Sequence, residues 1–211
     1  VLVMATFAHA VNPSLVGKLP YDTERAFTPV GMVARGPNVL VVRTDSEFKQ
    51  LRDLIDQAQR HPGKLSYASQ GNGTSAHLAG EMFDNLARVR MTHIPYRGAG
   101  PAMSDLLGGQ VDMMFATAAA AAPHIASGRL RALGVSGAQR SAQLPEVPTI
   151  GETLKGYEFN NWYGLMLPAG APRALVDRLN TEVTRVLAQA EIRERFLTLG
   201  ADPLPGTPER F

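Results

Sequence analysis

Short apolar runs rich in β-branched residues alternate along this chain with stretches whose apolar residues recur at helical spacing, and few folds accommodate that alternation. It predicts an α/β fold of βαβ units around a mainly parallel sheet. Val39-Leu40-Val41-Val42 is the first clear internal strand. Asp45 or Ser46 then caps a helix carrying Phe48, Leu51, Leu54, Ile55 and Ala58, which ends at His61-Pro62-Gly63. Strands follow at Leu65 to Ala68, Met91 to Tyr96, Val111 to Ala116, Leu130 to Ser136 and Tyr163 to Leu167. A helix opens at Pro101, an Ala-rich segment spans Ala118 to Ser127, and Ser141 to Gly156 reads as a crossover. Pro172 opens the longest helix, and a second one runs to Gly200. Both ends read as cut elements: Val1 begins in the body of a strand, and Thr207-Pro208 starts a helix that stops after one turn.

No run approaches the roughly 20 consecutive apolar residues of a bilayer-spanning helix. The 21 basic and 19 acidic residues are scattered, so no nucleic-acid-binding stripe is present. Cysteine is absent, which removes disulfides, thiol nucleophiles and thiolate metal sites together.

The loop Ser69-Gln70-Gly71-Asn72-Gly73-Thr74-Ser75 lies between a strand and a helix bearing Leu78, Ala79, Met82, Phe83 and Leu86 on one face. Successive glycines let backbone approach a ligand, and the helix N-terminus offers unpaired N–H groups and a positive dipole end. A carboxylate fits such a place, with charge-assisted bonds of about 1.5–3 kcal/mol each and the Ser69, Thr74 and Ser75 hydroxyls as added donors. A plain βα turn with a Thr cap is the other reading of the same residues. The loop is neither a dinucleotide fingerprint nor a P-loop nor a nucleophile elbow.

His77 and Glu81, four apart on one helix, have no third ligand at a metal-binding spacing, so a surface or supporting role is expected of them. Trp162 lies where the chain returns from the crossover, lining a cleft or packing in a core. Tyr96, Arg97 and Gly98 follow a strand end, where ligands of α/β sheets gather, although an arginine there is commonly a solvated charge. Asp105 and Asp112 form no recognisable catalytic pair, and the methionines read as core. No cofactor or metal is expected.

Several strings together carry a resemblance that covers nearly the whole chain. They include His9-Ala10-Val11-Asn12-Pro13-Ser14-Leu15, Lys18-Leu19-Pro20-Tyr21-Asp22, Gly71-Asn72-Gly73-Thr74-Ser75-Ala76-His77-Leu78-Ala79-Gly80-Glu81, His93-Ile94-Pro95-Tyr96-Arg97-Gly98, Leu144-Pro145-Glu146-Val147-Pro148-Thr149 and Trp162-Tyr163-Gly164-Leu165. In order and spacing the chain resembles the tripartite tricarboxylate transporter receptor family, also called Bug proteins.

The resemblance implies a two-lobed, Venus-flytrap periplasmic-binding-protein fold of type II, with residues 1–38 and 159–211 in one lobe and 39–158 in the other. It implies a non-catalytic monomer, made with a signal peptide and exported to the periplasm. There it would capture a small organic carboxylate in an interlobe cleft and pass it to membrane permease subunits. The contacts it implies fall on Ala5, Thr6 and His9 in one lobe, on Ser69, Gly71, Asn72, Gly73, Thr74 and Ser75 in the other, and on Tyr96 and Thr117. It also implies that a first strand and Gly-Gly loop of the family lie upstream of Val1. Ala116, where many relatives carry an acidic residue, suggests a ligand without an amino group. The rival from another class is an effector-binding domain of a cytoplasmic transcription regulator, which shares the two-lobed architecture. An α/β enzyme is the third reading, and it has no nucleophile, metal set or cofactor fingerprint behind it.

Overall fold

In the computed structural model, which describes all 211 residues, the chain divides into two compact units, 1–36 with 161–211 and 37–160. The sequence reading puts the exchange points at 38/39 and 158/159.

The unit 37–160 is built on the strands β2 (Phe27–Arg43, entering from the other unit), β3 (Ser66–Ser69), β4 (Thr92–Pro95), β5 (Met113–Thr117) and β6 (Leu130–Val135). β2 lies between β6 and β5, and β3 and β4 continue beyond β5. Alternate residues bury opposite faces, as strand geometry requires. Leu40, Val42, Tyr67, Met113 and Phe115 belong to one core cluster, and Val39, Val41, Ala68, Met114 and Ala116 to another. Helices α2 (Leu51–Arg60) and α3 (Ser75–Ala87) cover the first face, and α4 (Ala99–Leu107) and α5 (Ala118–Ala126) the second. Burial on both sides explains why Val39 to Val42 is continuously apolar rather than alternating. The short helix α6 (Ile150–Thr153) lies in the expected crossover and places Ile150 in the first cluster.

Two expectations are corrected. The sheet is mixed: β3 is parallel to β4 and β5, while β2 is antiparallel to β5 and β6. β2 arrives from the other unit and is not tied to its neighbours by a βαβ crossover, so its direction is free of that rule. Helix α2 starts at Leu51 rather than after Asp45 or Ser46. The Asp45 carboxylate is taken by the Arg43 guanidinium at 2.8 and 2.6 Å, and the cap is instead a box formed by Gln50 and Asp53.

The other unit holds β1 (Val3–Thr6), the first part of β2, β7 (Asn160–Pro168) and β8 (Asp202–Pro203), with helices α1 (Phe7–Leu15), α7 (Arg173–Leu187) and α8 (Ala190–Thr198). β1 pairs antiparallel with β7, and β8 with β2. Its core is small, centred on Val30, Leu167 and Val176. Thr207-Pro208 opens a single 3-10 turn, and Phe211 after it rests on Gly164, where any Cβ would collide with its ring.

Candidate functional site

The loop after β3 is folded by its own side chains, and they settle which of its donors remain open. Ser69 is fully buried, and its hydroxyl accepts the Gly71 N–H at 3.1 Å and lies 2.6 Å from His93 Nε2. The Gly73 N–H donates to His77 Nδ1 at 3.1 Å. Gly71 and Gly73 have φ of 131° and 76°, in the region that favours glycine. The Thr74 N–H reaches Gly71 O at 3.4 Å, and the Thr74 hydroxyl donates to that same carbonyl at 2.7 Å.

This arrangement corrects the expectation of a glycine-rich amide cradle. Ser69 and the amides of Gly71 and Gly73 are already engaged, by Ser69 itself, by His93 of β4 and by His77 of α3. The opening lies one step further along. Thr74 is the N-cap of α3, yet its hydroxyl turns back to the loop and accepts nothing from the helix. The first-turn amides of Ser75, Ala76 and His77 have no carbonyl to meet within the helix, and no hydrogen bond of the molecule uses them or the Asn72 amide. Ser75 is nearly enclosed, and its hydroxyl oxygen accepts from Asn38 Nδ2 at 3.4 Å, which leaves its proton to donate elsewhere.

Asn38, in β2, ties this helix terminus to its neighbour. Fully buried, it donates from Nδ2 to Phe115 O at 2.6 Å, and its backbone N–H donates to Ser136 Oγ at 2.7 Å. Ser136 Oγ donates in turn to Phe159 O at 2.6 Å. The Asn38 Oδ1 has no partner, an unusual state for a buried acceptor. Opposite Asn38 in the β2–β5 register stands Thr117, the N-cap of α5, whose side chain makes no capping bond either. Two uncapped helix N-termini therefore flank Asn38 at the C-terminal ends of the parallel strands β3 and β5, the edge at which open α/β sheets hold ligands. Sequence reading missed Asn38. Its signal was a lone amide directly before four apolar residues that are buried on both faces.

Beneath the loop the rings of His77 and His93 stack at 4.2 Å, and Tyr67 lies against His93 at 4.9 Å. Burial, followed by the His77 ring beside it, pushes the His93 imidazole down to about 4, so it is neutral at physiological pH. The Tyr67 hydroxyl donates to Glu81 Oε1 at 2.7 Å, and burial first, then Glu81, holds that phenol well above its usual range. His77 Nε2 faces the same carboxylate at 3.7 Å. His77 and Glu81 thus support the loop, and no group of three His, Cys, Asp or Glu side chains is disposed to hold a metal.

The remaining candidates fall at several places. Tyr96 bounds the loop: its N–H donates to Ser69 O at 3.0 Å, and its hydroxyl donates to Asp105 Oδ2 at 2.7 Å. Burial and then Asp105 push that phenol up to about 12, so Tyr96 can present only a neutral hydroxyl. Ala116 is fully buried in the apolar cluster between β2, β5 and α5. In the other unit, Ala5 is buried and offers only main chain. Thr6 is the N-cap of α1 without a side-chain capping bond, and His9 packs edge-on against Phe27 at 4.8 Å with its Nε2 unpartnered. Trp162 packs edge-on against Phe211 at 5.5 Å.

No helix is long and apolar enough to cross a membrane. The family model for the tripartite tricarboxylate transporter family receptor matches residues 1–209. A UPF0065 protein from the tcbD-tcbE intergenic region of Pseudomonas sp. strain P51 is 44% identical over 194 residues, 91% of this chain and 58% of its own length. Protein BugT of Bordetella pertussis is 36% identical over 204 residues, 95% of this chain and 62% of its own length. The chain thus spans about three fifths of these curated relatives. Among solved structures, Rpa4515 of R. palustris with adipate superposes with a TM-score of 0.95 at 33% identity, over 99% of this chain and 71% of that one. The periplasmic binding protein BugD gives 0.92 at 33%, with the same coverage. MatC of Rhodopseudomonas palustris with bound malate gives 0.88 at 32%, again over 99% and 71%. The similarity extends through both units and includes the loop that closes over His77 and His93, so the chain belongs to the tripartite tricarboxylate transporter receptor family, the Bug-type solute-binding proteins.

Proposed function

We propose that this chain captures a small organic di- or tricarboxylate in the periplasm, at the N-termini of α3 and α5, for delivery to membrane permease subunits of the tripartite tricarboxylate type. One observation carries the reading: the first turn of α3 is left uncapped by its own Thr74, and the nearly enclosed Ser75 hydroxyl there accepts from Asn38 Nδ2 and keeps its proton to donate. A helix N-terminus in that state favours an anion by geometry and by dipole. One carboxylate of the ligand accepts the Ser75 and Ala76 N–H groups and the Ser75 hydroxyl. The Asn72 amide and the α5 terminus at Thr117 are the next donors in reach of the same edge. Relatives that bind adipate and malate support the class of ligand. The ligand is bound and released unchanged, by a monomer. Ala5, Thr6 and His9 stay as the candidate contacts of the other unit.

The test is calorimetric titration with malate, adipate, succinate and citrate, alongside Ser75→Pro. Proline suits the first helical position, and Thr74, at φ −74° and ψ 163°, has the extended conformation a residue before proline needs. The variant removes one amide and one hydroxyl and keeps the helix. Each lost charge-assisted bond contributes about 1.5–3 kcal/mol, so affinity should fall by about tenfold or more. Wild-type heats at the level of buffer for all four acids, or undiminished binding by Ser75→Pro, would sink the proposal.

A further inference from the structure

The proposed anion seat stands on a helix that, like α4 and α5, lacks the capping box found on α2 and α6 of the same unit. In α2 and α6 the third residue is a carboxylate, Asp53 or Glu152, that reaches back to a backbone N–H ahead of the helix. That is the ordinary capping box, and it places a negative charge in the first turn. In α3 the third residue is His77, and the first turn holds no acidic side chain. His77 reaches one residue further back than usual and accepts the Gly73 N–H through Nδ1 at 3.1 Å. A ring nitrogen that accepts this bond brings no negative charge to the terminus. The nearest acidic group of the helix, Glu81, stands one turn on, where the Tyr67 hydroxyl donates to it at 2.7 Å and His77 Nε2 faces it at 3.7 Å.

We infer that His77 is a specificity-determining residue for negatively charged ligands: it closes the glycine loop onto α3 without bringing a carboxylate to the terminus where the guest anion lands. A glutamate there would satisfy the loop amide equally well and would repel the guest at short range in a partly dry setting. The His93 ring stacked on His77 fixes the imidazole plane, and the bond of Ser69 with His93 Nε2 fixes the His93 ring in turn. The inference rests on the reading of α3 as the carboxylate seat. Independently of the helix amides, the Ser75 hydroxyl at the same terminus is nearly enclosed and accepts from Asn38 Nδ2, which leaves its proton to donate to a guest.

The two ideas are separated by titrating the amide resonances of the protein with malate and with adipate near neutral pH. Wild type and His77→Gln, which keeps a neutral acceptor, should show the Ser75 and Ala76 amides moving with similar midpoints. His77→Glu should melt cooperatively and show a midpoint raised by about tenfold or more. His77→Asp carries the same charge with a shorter reach, is favoured in a first turn, and has the same expectation. If both carboxylate variants bind as wild type does, or if His77→Gln loses affinity along with them, His77 is only a structural cap and the inference is overturned. If the Ser75 and Ala76 amides of wild type do not move, the carboxylate seat itself is wrong and the inference falls with it.

Discussion

Ser136 shows how much of the site depends on a single hydroxyl. It accepts the buried Asn38 N–H at 2.7 Å and donates to Phe159 O at 2.6 Å, so it stitches the start of the buried part of β2 to the end of the crossover. Ser136→Ala strands the Asn38 donor away from water, and unfolding in urea should show a loss of about 1–3 kcal/mol. A loss under about 0.5 kcal/mol would mean that another group takes the amide over. None of this was legible in sequence, because the partners of Asn38 lie at positions 115 and 136 and only the folded sheet brings them together. The same is true of the glycine loop. Its residues announced a turn that a ligand can approach, but the spending of Ser69 depends on His93, in a different strand. Local chemistry suggested which residues were present for binding, and tertiary contacts decided which of their donors stayed free.

Among the elements, α3 is held to the sheet by an absence. A Cβ at Gly80 would overlap the ring of Tyr67, so glycine is what lets the helix lie close over β3 with that ring filling the space between. Gly80→Ala overpacks this contact and should cost about 1–3 kcal/mol, read as a lower denaturation midpoint. A midpoint equal to wild type would show that Tyr67 swings aside freely. Most of this level was readable beforehand. Phe83 and Ala79 recur at helical spacing and do face the core, and Val39 to Val42 is a buried strand. The start of α2 was misplaced because Asp45 looks like a cap until Arg43 is seen to hold it. The antiparallel course of β2 is not legible in the sequence, because apolar patterning reports burial and carries no information on strand polarity.

At the scale of the whole molecule, two groups give opposite responses to acid. His93 is pushed from its ordinary 6.5 down to about 4, so the unfolded chain binds that proton more readily and stability falls as pH drops from about 6.5 towards 4. Asp84 is raised from its ordinary 3.8 to about 6, chiefly by burial, so its contribution is fully present below 3.8 and is lost as pH rises through about 6. Over the shared window the two offset each other. Asp84→Asn removes one side of that balance, and melting temperatures should then fall more steeply than in wild type between about pH 6.5 and 4. Parallel profiles for the two proteins would refute the assignment. The threading of the chain also sets an order of assembly. The unit 37–160 is continuous, whereas β1 and β7, which form a ladder with each other, are separated in the chain by the whole of it. During synthesis, residues 37–160 can therefore complete their own core before β7 is translated, whereas the ladder between Val3–Thr6 and β7 must wait for it.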